Sequence, residues 1–207
     1  MSELFTPKQA RALSLVKSGG LKRINILEGS VRSGKTYISM IMWGFWVAAA
    51  PKEGAYLMAG KTLTTLRRNV LEPMCGLFGE CFTYSLSKKE ARLFGRKIYL
   101  EGAANAQAES KIRGMTLYGA YCDELSLFPE DFFAMLLSRL SVSGARLIAT
   151  TNPDNPGHWL KRNYLDNSAL ELLDLKFTLD DNTFLPEEYV RAVSYTHLRA
   201  HETREDL

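Results

Sequence analysis

Gly29-Ser-Val-Arg-Ser-Gly-Lys-Thr36 is the stretch whose reading decides the fold. It matches the spacing G-x-x-x-x-G-K-[ST], with Ile24-Asn-Ile-Leu27 before it and a mostly apolar segment, Thr36 to Ala50, after it. The β-branched run reads as a strand, and the apolar segment reads as a helix buried against a sheet. Gly29 and Gly34 let the intervening loop, Ser30-Val31-Arg32-Ser33, fold so that successive backbone N–H groups form a concave anion site. The helix beginning near Lys35 adds its positive N-terminal end beneath the phosphates. Lys35 would reach the β- and γ-phosphates of a nucleotide, and the Thr36 hydroxyl would bind Mg²⁺. Four fixed positions arise by chance in a chain this long about once in a hundred. The strand before and the helix after make the match more specific.

Such a loop needs a carboxylate at the end of a nearby strand to hold the metal. Leu117-Tyr-Gly-Ala-Tyr-Cys-Asp123-Glu124 supplies it, an apolar strand ending in two acids where it leaves the core. Asp123 would hold Mg²⁺, and Glu124 would orient and polarise the attacking water. Asp123-Glu-Leu-Ser126 is not the Asp-x-x-Gly of a GTPase switch; the adjacent acid belongs to ATPases with a fixed catalytic glutamate. In that class the next strand, Ala145-Arg-Leu-Ile-Ala-Thr-Thr-Asn152, inserts between the phosphate-loop strand and the acid strand. Its tip, Thr150, Thr151 and Asn152, then lies beside the γ-phosphate, where it can sense hydrolysis and couple it to the fold. The same Thr-Asn-Pro also reads as a turn, and both readings hold together. Arg32, inside the loop, and Arg113, in Lys111-Ile-Arg-Gly114, are alternative sources of charge for the transferring phosphoryl group, in cis or from a neighbouring subunit. The Gln9 amide has a donor and an acceptor that match the adenine edge.

Strands and helices alternate along the rest of the chain. Helices are expected at Pro7 to Lys17, Leu63 to Phe78 (broken or capped near Pro73 and Gly76), Pro129 to Leu140, His158 to Leu165 and Pro186 to Val193. Further strands are expected at Ala55 to Ala59 and Leu172 to Thr178, with two more between Phe82 and Glu101. This order implies an α/β fold of the P-loop NTPase kind, with a mostly parallel central sheet flanked by helices.

With 207 residues, 46% of them hydrophobic, the chain can bury one sizeable core. No apolar run reaches the length of a membrane span, and the N-terminus lacks the pattern of a signal peptide. The expected location is therefore cytosolic. The three cysteines form no metal-ligand pair and read as reduced thiols. A net charge of +3 permits nucleic-acid contact without arguing for it. From Ser194 the sequence continues neither the helical nor the strand pattern and resembles a translated adaptor tail. Residues 194–207, with His197 and His201 four apart, are set aside as non-native, leaving 1–193 as the expected ATPase domain.

These pieces in this order resemble the large terminase subunits of tailed phages, specifically the family named after the defective prophage PBSX. Phe5-Thr-Pro-Lys-Gln9, Gly29 to Thr36, Lys111 to Gly114, Tyr121 to Glu124 and Thr150-Thr-Asn-Pro153 fall where that family has its adenine, phosphate, arginine, acidic and coupling motifs. His158-Trp-Leu-Lys161, Thr178-Leu-Asp-Asp-Asn182 and Pro186-Glu-Glu-Tyr189 extend the match over roughly residues 5 to 193. The resemblance implies an ATP- and Mg²⁺-dependent motor. It would drive double-stranded DNA into a procapsid as a homo-oligomeric ring on the portal protein, with a small terminase subunit as partner. It would act in the cytoplasm of the bacterial host, without a membrane. The family's C-terminal nuclease domain has no counterpart before Leu207, so nuclease activity is not expected of this chain.

Three alternatives remain open from the sequence. A two-lobe helicase would need a second similar lobe and a His after Asp-Glu-x. A guanine-specific switch would need Asn-Lys-x-Asp, and Asn152-Pro-Asp-Asn155 lacks the Lys. A fragment that binds ATP without productive turnover is the third.

Overall fold

A computed structural model describes residues 4–105, 107–152, 155 and 157–186. The tail from Ser194, with its two histidines, and the helix expected beyond Pro186 lie outside the described residues. In chain order the elements are α1 (Pro7–Lys17), β1 (Ile24–Gly29), α2 (Lys35–Ala49), β2 (Tyr56–Gly60), α3 (Leu63–Leu66) and, after a π-helical turn (Arg67–Leu71), α4 (Glu72–Phe78). They continue with β3 (Phe82–Ser85), β4 (Glu90–Leu93), β5 (Arg96–Gly102), α5 (Ala108–Ile112), β6 (Gly119–Cys122), α6 (Glu130–Arg139), β7 (Arg146–Thr151) and β8 (Leu172–Phe177).

The eight strands form one sheet in the order β3-β4-β5-β2-β6-β7-β1-β8. Every pairing from β5 to β8 is parallel, and β3, β4 and β5 pair antiparallel. The fold is a P-loop NTPase α/β sheet, as the sequence implies, and β7 does insert between β1 and β6.

Side-chain alternation along the central strands builds two cores. Leu27, Met58, Tyr121 and Ile148 face Ile38, Trp43, Val70 and Met74 of the helices on one side. Their neighbours Ile26, Leu57, Ala120 and Leu147 face Ile112, Phe132, Phe133 and Leu136 on the other. Burial on both faces is why these strands read as nearly unbroken apolar runs. Among the described residues no helix is long and apolar enough to cross a membrane.

Several details differ from the sequence expectation: α5 has no counterpart in it, and the short helix expected from His158 to Leu165 is largely a π-helical turn over Lys161–Leu165. The segment from Phe82 carries three strands rather than two, because Phe94 (φ 49°) and Gly95 (φ 80°) make a two-residue hairpin turn. Positive φ at both positions is the geometry whose twist matches the flanking strands, and a Phe in the first position disguises it. The helix from Leu63 to Phe78 is interrupted just before Pro73, near where the sequence places the break, and runs on through Gly76. Pro73 has no N–H and its ring crowds the carbonyl four residues back, and the chain relieves this by widening into the π-turn. Pro129 caps α6 with an extended ψ of 139° instead of occupying its first turn.

The C-terminal end of α2 is closed by Arg96 of β5. Its guanidinium donates to the carbonyls of Ala48 (2.8 Å), Ala50 (2.7 and 3.2 Å) and Phe94 (2.9 Å). A cation there also offsets the helix dipole. Arg96→Leu should therefore destabilise the domain by roughly 3 kcal/mol, measured as a lower midpoint in urea unfolding.

Candidate active site

The carboxyl ends of β1, β7, β6 and β2 lie side by side, where open α/β sheets bind ligands. β1 runs out at Gly29, whose φ of 147° and close approach to β8 admit no side chain. A Cβ there would lie 1.8 Å from the Phe177 carbonyl oxygen. Gly34 caps α2 in the left-handed region (φ 83°), the turn that lets the loop re-enter the helix.

Lys35 is 8% exposed, and its Nζ donates to the Ser30 carbonyl at 3.0 Å, drawing the loop over the start of α2. The Ser30 and Ser33 hydroxyls are buried without a hydrogen-bond partner among the described residues. Buried orphan hydroxyls are costly, and in a phosphate loop they fit a polar ligand that would satisfy them. Arg32, exposed at the loop apex with φ 63°, accepts through its carbonyl a 2.7 Å hydrogen bond from the Asn182 amide.

Asp123 is 3% exposed. Its Oδ1 accepts from the Thr150 hydroxyl at 3.0 Å and its Oδ2 from the Asn69 amide at 3.2 Å. Burial pushes its pKa up. The bonds from Asn69 and Thr150 oppose that shift, Glu124 adds to it, and Lys35 draws it down. The same Thr150 oxygen accepts from the Glu124 N–H at 3.1 Å, so one hydroxyl ties both acids together. Glu124 itself is held in the left-handed region (φ 54°, ψ 55°), at a cost of roughly 1–2 kcal/mol for a residue with a Cβ. Strain of this kind clusters at functional sites. It turns the chain sharply off β6 and leaves the Glu124 side chain exposed.

Strand parity explains why Thr150, and not Thr151, meets Asp123. Tyr121 and Ile148 belong to the core on the α2 side, and Asp123 and Thr150 lie two residues beyond them on the same face. Thr151 alternates to the opposite face, fully buried, its hydroxyl without a partner among the described residues. The Asn152 carbonyl accepts from the Ser126 hydroxyl at 3.3 Å. A buried bond between Ser39 and Tyr121 (2.9 Å) joins α2 to β6, and Ser39 also donates to the Thr36 carbonyl at 2.8 Å.

The result is a cleft of about 280 Å³ lined by Val31, Arg32, Lys35, Thr36, Asn69, Asp123, Glu124, Thr150 and Asn152. Arg113 is not in this lining. It sits at the end of α5, 66% exposed, bonded to Glu109 at 2.8 Å. Gln9 is 4% exposed. Its carbonyl accepts from the Thr6 N–H (3.1 Å) and its amide donates to the Gly34 carbonyl (3.3 Å), clasping α1 to the phosphate loop.

Sequence reasoning missed Asn69, Asn182 as a support of the loop, and the Ser39–Tyr121 bond. Asn182 carried a signal in Leu-Asp-Asp-Asn, but Asn69 carried none.

A phosphate loop facing a strand-end acid pair, with a third strand between them, defines a P-loop ATPase-type domain. The family described as phage terminase large subunit matches residues 78–202, more than half of the chain. The large terminase of a thermophilic bacteriophage is 34% identical with a TM-score of 0.81, covering 90% of this chain and 48% of that one. In complex with ATP-gamma-S the same terminase matches at 32% identity and a TM-score of 0.79, covering 91% and 48%. The large terminase ATPase domain of Thermus phage P74-26 shares the fold at 12% identity, with a TM-score of 0.53 and 76% and 75% covered. No curated protein matches the sequence. The chain belongs to the phage terminase large subunit family and spans about half the length of the terminase it matches at 34% identity.

Proposed function

We propose that this chain binds and hydrolyses Mg-ATP and is the ATPase domain of a DNA-packaging motor. The observation that carries the reading is the single cleft shared by Arg32, Lys35, Thr36, Asp123, Glu124, Thr150 and Asn152. The orphan hydroxyls of Ser30 and Ser33 add to it, as does the ATP-gamma-S complex of the thermophilic bacteriophage's terminase.

In this reading the loop from Gly29 to Ser33 cradles the phosphates with its N–H groups, and Lys35 neutralises their β–γ region. Thr36 and Asp123 would hold magnesium, directly or through its waters. That ion takes one or two carboxylates plus phosphate oxygens rather than an all-protein cage. When bound, it supplies neutralisation of charge on the phosphate oxygens. Glu124 accepts a hydrogen bond from the attacking water and aligns it with the terminal phosphorus. Thr150, bonded to Asp123 and to the Glu124 N–H, keeps the two acids in register. Asn152 stands at the same cleft as the group that senses whether a terminal phosphate is present, with Thr151 behind it. Gln9 retains one amide N–H and a carbonyl lone pair for the adenine edge.

Residues 1–193 form the proposed ATPase unit. Double-stranded DNA, a portal protein and a small terminase subunit are the proposed partners in the host cytoplasm, with the working form a ring of identical chains. The likeness to a solved large terminase and the family membership support this part of the reading.

Turnover measured against protein concentration tests the reading and separates the two arginines. Arg113 is exposed and does not line the cleft, a placement that suits service to a neighbouring subunit's nucleotide. Turnover per chain should rise on the order of tenfold or more with assembly, and Arg113→Ala should remove that rise. A rate that stays flat through assembly assigns the role to Arg32 in cis. A parent chain with no Mg-ATP turnover at any concentration would refute the ATPase proposal.

A further inference from the structure

Asn69 stands in no recognisable motif and lies 54 residues before Asp123 in the chain, yet its amide meets that carboxylate inside the cleft. Three observations fix it there. Leu66, Val70, Leu71 and Met74 are fully buried in the core, so the helix from Leu63 to Phe78 cannot rotate about its axis. The π-turn over Arg67–Leu71, where the Glu72 N–H reaches back to the Arg67 carbonyl, widens the helix at this residue. Such single π-turns occur often at functional sites. Arg68 Nε donates to Asn69 Oδ1 at 3.3 Å, which orients the amide with its oxygen toward Arg68 and its nitrogen toward Asp123.

Thr150 holds Oδ1 and Asn69 holds Oδ2, so each carboxylate oxygen carries one hydrogen bond. A carboxylate offers about four lone-pair sites. Those left over are fixed in direction because both oxygens are already tethered. We propose that Asn69 is a positioning residue that sets the plane of the Asp123 carboxylate for the metal–nucleotide complex, acting through that carboxylate without touching the nucleotide. An aspartate at this position would set a like charge against Asp123, and an alanine would leave one of its oxygens untethered. The proposal rests on the Mg-ATP reading of the same cleft.

The test is binding of a fluorescent ATP analogue to the full chain, in EDTA and across a magnesium titration. For Asn69→Ala any loss of affinity in EDTA should be several-fold smaller than the loss in magnesium, because the loop and Lys35 are intact. The magnesium concentration giving half of the metal-dependent gain should rise on the order of tenfold, the usual effect of removing a partner that orients a metal ligand. Asn69→Leu, which keeps the volume and loses the donor, should behave alike, and it carries the test if the alanine variant does not fold. Unchanged magnesium dependence in a folded variant would overturn the proposal. So would an equal loss with and without magnesium, which would mark a general disturbance of the cleft. A parent that binds the analogue in EDTA with no magnesium gain would overturn the role of Asn69 and leave the phosphate loop standing. A parent that binds in neither condition would overturn the nucleotide reading and this one with it.

Discussion

Lys35→Ala should reduce ATP affinity by roughly thirtyfold to a few thousandfold, measured by calorimetry or with a fluorescent analogue. The ammonium group is nearly buried at the start of α2, and it lines the cleft with Thr36 and Asp123. Removing one partner of a buried charge pair costs roughly 2–5 kcal/mol, and each 1.4 kcal/mol is tenfold in affinity. The triphosphate would keep the loop N–H groups but lose its main counter-charge. The substitution also deletes the 3.0 Å bond from Nζ to the Ser30 carbonyl. Thermal unfolding of the variant separates a loosened loop from a lost ligand contact. A folded Lys35→Ala chain that binds ATP as tightly as the parent would remove the basis of the phosphate-loop assignment.

Glu124→Gln should leave nucleotide binding within about threefold while slowing hydrolysis by roughly 10²–10⁴-fold, the usual range for loss of a positioned general base. The amide preserves the shape of the side chain but not the charge that polarises water. The backbone at 124 should be unaffected. Its left-handed conformation is held by the Glu124 N–H bond to Thr150 and by the turn that closes with the Leu127 N–H on the Glu124 carbonyl at 2.9 Å. Single-turnover measurements with saturating Mg-ATP give the chemical step directly. Turnover equal to the parent's would falsify the assignment and send the search to another group in the cleft.

Those two residues are the ones local sequence made easiest to find, and the reason is physical. A phosphate loop is built from consecutive backbone N–H groups, so its chemistry must be written in consecutive residues, Gly29 to Thr36. Asp123 and Glu124 end an apolar strand, where the change from buried to polar is visible in the composition itself. The position of β7 between β1 and β6 followed from the adjacent acids, because that pairing marks a class of ATPases with one strand order.

What the sequence left open was the choice among neighbours. Thr150, Thr151 and Asn152 were equivalent as text, whereas a two-residue strand period sends Thr150 to the acids and Thr151 into the other face. Gln9 was legible as an amide near the nucleotide site, but its clasp on the Gly34 carbonyl depends on where α1 packs. The hairpin at Phe94-Gly95 was hidden because positive φ at a phenylalanine has no compositional mark.

By itself, then, the sequence determined the sheet's class, the phosphate loop and the acid pair, all of which are set by residues within a few positions of one another. Only the tertiary structure decided that Asn69 and Thr150 grip the two oxygens of Asp123, and that Arg113 stands away from the cleft. It also decided that Asn182 supports the loop at Arg32. Those contacts join residues 27 to 150 positions apart. Their partners are chosen by helix rotation, a π-turn and strand order, which no short stretch of sequence records.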